Sequence, residues 1–173
     1  GLDANFIGSD DRAIGKLATE HLIARGYRRI AHIGMTGIST GNLRLQGYRA
    51  ALKRHRHFFS SQRVVNVESS DERGEQCGFD AMQKLLSLKQ RPDAVFCYND
   101  VLAYGAFKAI FEAKLRVPVD VGVVGVANMA SFSFWDASPV GLTTLDQNVP
   151  QLADAISDLV LGLVERRHRG PSK

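Results

Sequence analysis

Three polar side chains stand where apolar runs of this sequence stop: Arg44, Asn99 and Asn128. Pro92-Asp-Ala-Val-Phe-Cys-Tyr-Asn-Asp100 is an apolar stretch that ends abruptly in an amide and a carboxylate. An amide carries both donor and acceptor, which suits a sugar hydroxyl or the edge of a base. Asp100 directly precedes a helical pattern from Val101, so it is expected to N-cap that helix. Asn99 is left to face a ligand, unless it is a turn asparagine. Ala127-Asn128-Met129 repeats the arrangement after Val126. Arg44 follows an apolar run and a Gly-, Ser- and Thr-rich stretch, Thr36 to Gly41. Its planar fork of donors suits a hydroxylated or anionic ligand, or it is an ordinary solvated helix arginine.

Other chemistries find little support. The glycines between Gly34 and Gly41 are followed by Asn42-Leu43, not by the Lys-Ser/Thr that closes a phosphate loop. No Gly-x-Ser-x-Gly elbow is present. His32 lies within a strand and reads as a packed or edge histidine rather than a base. His55-x-His57 has no third metal ligand nearby. Asp10-Asp11 precede a helix and read as caps. No cofactor is implied. The basic clusters Lys53–His57 and Arg166–Arg169 lack interleaved aromatics and read as solvated surface.

The elements that must position these residues alternate. Helical spacing marks Arg12–Arg25, Leu43–Arg54, Glu72–Leu88, Val101–Lys114 and Pro150–Arg166. Ile30–Gly34, Val64–Val67, Ala94–Tyr98, Gly122–Val126 and Leu142–Leu145 read as strands, and the continuously apolar Gly122–Val126 reads as one covered on both faces. This rhythm predicts an α/β fold: a doubly wound, mostly parallel sheet with helices on both faces and right-handed crossovers. In such sheets ligands bind beyond the carboxyl ends of the strands, where Arg44, Asn99 and Asn128 would converge.

The 173 residues are 45% hydrophobic and 23% charged, ordinary globular values. A net charge of +4 is too small to argue nucleic-acid binding by itself. Cys77 and Cys97 match no metal or redox spacing, which points to a reducing, cytoplasmic setting. No run is long enough to span a membrane.

Five runs, in this order, resemble the effector-binding domain of the LacI/GalR family of bacterial transcription regulators: Ala18–Ala31, Arg44–Tyr48, Pro92–Asp100, Val117–Gly125 and Leu142–Gln147. The resemblance implies a periplasmic-binding-protein-like architecture of two α/β subdomains with a ligand cleft between them. On that reading residues 1–8 are a remnant of the first subdomain and crossover. Residues 9–145 are the carboxyl-terminal effector subdomain. Residues 146–173 are a helix returning to the first subdomain, with a basic tail. The helix-turn-helix DNA reader would be absent, so operator DNA would be met only through a missing amino-terminal domain. A small-molecule effector and a homodimer are implied, with no membrane partner.

The family's effector contacts carry over onto Arg44 and Asn99, with Thr40 as a weaker match. Two positions depart from the pattern. Ala127-Asn128 replace the family's paired aspartates, and Arg73 stands where an aromatic often stacks on the ligand. Losing a carboxylate and gaining an arginine leads to the expectation of an acidic or phosphorylated sugar. The competing readings are a periplasmic sugar-binding protein of a transporter, which shares the fold, and a small flavodoxin-like enzyme or receiver.

Overall fold

The structure, a computed structural model, describes residues 7–68, 74–129 and 141–169, with side chains as far as 165. Five parallel strands form one sheet: β1 (Ile30–Met35), β2 (Val64–Val67), β3 (Ala94–Cys97), β4 (Gly122–Val126) and β5 (Thr143–Leu145). Their order is β2-β1-β3-β4-β5. The register sets Ile30 beside Ala94, Ala94 beside Gly122, and Val124 beside Thr143. The central strands are buried, all but Met35 at the end of β1, because helices cover both faces.

Alternation along each strand divides the core into two layers. Ile30, Ala94, Phe96, Val124 and Val126 pack with Ile14, Ala18, Leu22, Tyr48 and Leu52. Those last residues come from α1 (Asp11–Ala24) and α2 (Ser39–Arg54). Ala31, Ile33, Val95, Cys97 and Val123 pack with Met82, Leu85, Leu102, Ala106 and Ile110. These belong to α3 (Gly74–Leu86) and α4 (Asp100–Glu112). The expected fold class is therefore the observed one.

His32 lies in the first layer, fully buried, stacked on Phe96 at 4.6 Å and Tyr48 at 5.3 Å between ring centroids. Its Nδ1 is 2.9 Å from the Phe96 carbonyl oxygen, which can only accept, so Nδ1 carries the proton. Nε2 is buried with no hydrogen-bond partner. Burial in this apolar sandwich pushes its pKa down to about 4, outweighing the carbonyl that favours a charged ring. Of the packed and edge histidines the sequence allows, the packed one is found.

Two boundaries differ from the sequence reading. α2 begins at Ser39 rather than Leu43, so much of the Gly-, Ser- and Thr-rich stretch is helix. α4 begins at Asp100, one residue before the expected start. Arg73 and most of the loop expected at Asn128–Pro139 lie outside the described residues.

Residues Asp10–Leu145 form one compact unit. A second unit holds the chain from Asp146 onward together with the stretch ending at Ser9. Within it, Gln147 Nε2 donates to Ser9 Oγ at 3.2 Å. Its helix, α5 (Val149–Arg169), carries Pro150 in the first turn, where no backbone donor is needed. α5 exposes Val149, Ile156, Val160, Leu161, Leu163 and Val164. Among the described residues no helix is long and apolar enough to cross a membrane.

Candidate functional site

β1 leads to β2 on one side of the sheet, and β3 leads to β4 on the other. The carboxyl ends of β1 and β3 are thus a topological switch point, where a crevice opens in this class of sheet. α2 leaves the β1 side with Thr40 in its first turn and Arg44 in its second. β3 ends at Cys97 and hands over to Tyr98 and Asn99.

These residues interlock. Arg44 is only 4% exposed. Its Nε donates to Asp11 Oδ1 at 2.7 Å, and its Nη1 donates to the Tyr98 carbonyl. Its guanidinium carbon lies 4.3 Å from the centre of the Tyr98 ring, a stacked cation–π contact. The Tyr98 hydroxyl is 2.8 Å from Thr40 Oγ1. Burying Arg44 costs solvation, and the carboxylate of Asp11, itself buried, compensates for it. Those bonds engage Nε and Nη1; Nη2 makes no hydrogen bond to another described residue.

Asp11 reaches Arg44 because α1 and α2 touch backbone to backbone. A Cβ on Gly15 would lie 2.1 Å from the Arg44 carbonyl oxygen, and one on Gly47 would lie 2.1 Å from that of Arg12. Only glycine permits so close a crossing. Of the Asp10-Asp11 doublet, Asp10 is the cap, accepting from the Ala13 N–H at 2.9 Å. Asp11 is not a cap; it is the counter-ion of Arg44.

The Asn99-Asp100 pair exchanges the expected roles. Asn99 is the N-cap of α4: its Oδ1 accepts from the Leu102 N–H at 2.9 Å. Its Nδ2 stays outside that bond, on a half-buried side chain at the strand end. Asp100 does not cap. It turns inward, 2% exposed, and crosses to the exit of β4. Its Oδ2 accepts from the Met129 N–H at 2.9 Å, and its Oδ1 accepts from the Thr144 hydroxyl at 2.7 Å. Burial raises its pKa, and these donors partly offset that rise.

The chain leaves β4 through Ala127 at φ 111° and Asn128 at φ 50°, both in the left-handed region. The Ala127 N–H donates to the Leu145 carbonyl at 2.9 Å, and the Asn128 N–H to Thr144 Oγ1 at 3.3 Å. Asn128 is exposed at this end of the sheet.

The structure therefore brings Thr40 and Arg44 together around Tyr98. It puts Asn99 next to that tyrosine and Asn128 on the exit of the adjacent strand. Arg73 is outside the described residues. Sequence reasoning missed Asp11 and Tyr98. The acidic doublet at Asp10-Asp11 and an aromatic immediately before Asn99 were the available signals. No cluster of metal-ligating side chains occurs among the described residues.

Compared with known families, residues 19–173 match the periplasmic binding protein-like domain. The chain belongs to this family. Within it, the chain is 37% identical over 164 residues to the ribose operon repressor of Escherichia coli K12, covering 92% of this chain and 46% of that protein. It is 38% identical over 155 residues to the HTH-type transcriptional repressor PurR of Photorhabdus laumondii, covering 88% and 43%. Among solved structures, a LacI-family regulatory protein from Chloroflexus aggregans superposes with a TM-score of 0.84 at 26% identity, over 95% of this chain and 58% of that one. The regulator CelR in complex with cellobiose gives 0.79 at 28% identity, over 91% and 46%. The resemblance to the LacI/GalR regulators is borne out. The relatives named are transcriptional repressors, which favours the sensor reading over a transporter component. The chain spans about half the length of the curated relatives it matches.

Proposed function

We propose that this chain is the ligand-sensing part of a LacI-type transcriptional regulator, and that the strand exits of Asp10–Leu145 hold a sugar or sugar derivative. The observation that carries the reading is the Thr40–Arg44–Tyr98 cluster at the switch point of a sheet whose relatives are repressors. Arg44 offers Nη2, Asn99 offers Nδ2, Thr40 offers its hydroxyl, and Asn128 flanks them from β4. Arg73, which immediately precedes α3 in the sequence, would contribute as well. The named neighbour CelR, solved with cellobiose, supports a sugar as the ligand class.

The effector we favour is acidic or phosphorylated. Asp11 and Asp100, the buried carboxylates at this end among the described residues, are both engaged inside the protein. Ala127 supplies no carboxylate to grip neutral hydroxyls. The groups left for a ligand are rich in donors, which suits a carboxylate or phosphate. In the whole regulator, acting in the cytoplasm as a homodimer, residues 146–173 would return to a first subdomain. DNA would be read by a helix-turn-helix. The effector regulates only if it binds one conformation of that assembly better than the other.

Titration calorimetry on the full-length protein tests this with ribose, cellobiose, sugar acids and sugar phosphates. Acids or phosphates are expected to bind most tightly, and Arg44→Lys to weaken them. Tighter binding of the neutral sugars would sink the acidic-effector reading; no binding by any of them would sink the sensor reading.

A further inference from the structure

The exit of β4 poses a physical problem. Two successive non-glycine residues, Ala127 and Asn128, adopt φ of 111° and 50°. Each such residue costs on the order of 1–3 kcal/mol unless its surroundings enforce the conformation. Backbone N–H groups that turn through this region converge into a concavity that attracts anions. Here the concavity is already filled. The Met129 N–H donates to Asp100 Oδ2 at 2.9 Å, and the backbone of Val126 and Asn128 also favours the charged form of this carboxylate. Thr144 of β5 closes the ring by donating its hydroxyl to Asp100 Oδ1 at 2.7 Å while accepting the Asn128 N–H at 3.3 Å. The carboxylate fits against the strand because residue 125 is glycine: a Cβ there would lie 2.2 Å from Asp100 Oδ1. Helix capping does not explain Asp100, since Asn99 performs it.

We propose that Asp100 is a positioning residue, an internal anion that fills the β4 nest and so fixes Asn128 relative to Asn99. One carboxylate, adjacent in sequence to Asn99, bonds to the strand exit that carries Asn128. Resting on the ligand-site reading above, the occupied nest also has a consequence for specificity. The anionic group of an effector cannot use the β4 exit and must be met on the Arg44 side. Asp100 touches no ligand in this account; it acts through the backbone of residues 126–129.

The test is chemical rescue in the isotope-labelled full-length protein, followed through the amide resonances of Asn128 and Met129. In Asp100→Ala the Met129 resonance should move upfield as it loses a charged acceptor, and the Asn128 resonance should shift with it as its own acceptor, the Thr144 hydroxyl, loses its anchor. Formate should return them toward the wild-type positions in a saturable way, while chloride at equal ionic strength should not. Asp100→Asn, which keeps one oxygen, should shift them less than Ala does, and it carries the test if the Ala variant does not fold. Unchanged resonances in the variant, or a loss that formate and chloride treat alike, would overturn the proposal. No effector is needed for this readout, so its failure leaves the ligand-site reading standing, and the calorimetry above judges that reading separately.

Discussion

Acidification should destabilise this protein through one histidine. His32 is fully buried, its Nε2 is unpartnered, and its pKa falls from the ordinary 6.5 to about 4. The folded state therefore refuses a proton that the unfolded chain accepts. Above pH 6.5 neither state is charged at this position and no stability is at stake. As pH falls below 6.5 the unfolded state binds the proton first, so stability drops by up to about 1.4 kcal/mol per pH unit. The loss ends near pH 4, where the folded state protonates as well. From the two pKa values it amounts to about 2.5 kcal/mol at pH 4.5. That is a large share of the roughly 5–15 kcal/mol that holds a typical domain together. Other groups titrate in the same window, so the decisive comparison is with His32→Phe. This variant keeps a ring between Phe96 and Tyr48 and removes the titration. Any misfit of the larger ring is independent of pH. Urea unfolding followed by far-ultraviolet circular dichroism at pH 7 and 4.5 gives the four stabilities needed. The variant should lose about 2.5 kcal/mol less than the wild type on going to pH 4.5. Equal losses in the two proteins would refute the argument.

Arg44→Met should destabilise the fold by about 3–5 kcal/mol, because it leaves Asp11 buried without a counter-ion; adding Asp11→Asn should recover part of that loss in a double-mutant cycle read by denaturant unfolding. Ala127→Gly should raise stability by about 1 kcal/mol, since φ 111° suits glycine, and a melting temperature that falls instead would contradict the strain assigned there. In the native protein iodoacetamide should label half-buried Cys77 and spare Cys97, whose thiol burial keeps protonated and out of reach, with mass spectrometry of the digest as the check.

Much of the fold was legible because a sheet covered on both faces writes itself as apolar runs. The β2 and β4 bounds match the sequence reading, and the switch-point geometry follows from strand order. Local chemistry misled at two places. Gly41 in a Gly-, Ser- and Thr-rich stretch suggested loop, yet it lies inside α2, where a Cβ would sit 2.1 Å from the Met35 carbonyl oxygen. That glycine answers a packing demand, which composition does not distinguish from a turn. Asn99 and Asp100 are both good caps, and nothing nearby says which one caps. The answer lies 44 residues away, at Thr144, whose hydroxyl draws Asp100 inward. Arg44 was legible as an arginine at a strand end, but its partner Asp11, 33 positions earlier, was hidden behind a capping role that its neighbour fills.

The glycine crossing of α1 and α2 has a mechanical side. Where carbonyls sit against Gly15 and Gly47, no side chain separates the two helices to absorb a shift. Gly78 and Gly105 make the same contact between α3 and α4, with a Cβ on either falling 2.3 Å or less from a carbonyl oxygen of the other helix. Each face of the sheet is thus backed by a stiff plate rather than by two independent rods. A ligand that pulls on Arg44 loads α1 as well as α2, through the crossing and through Asp11 at the very start of α1. On the proposed ligand-site reading, strain applied at the strand exits would reach the start of α1 through these two contacts.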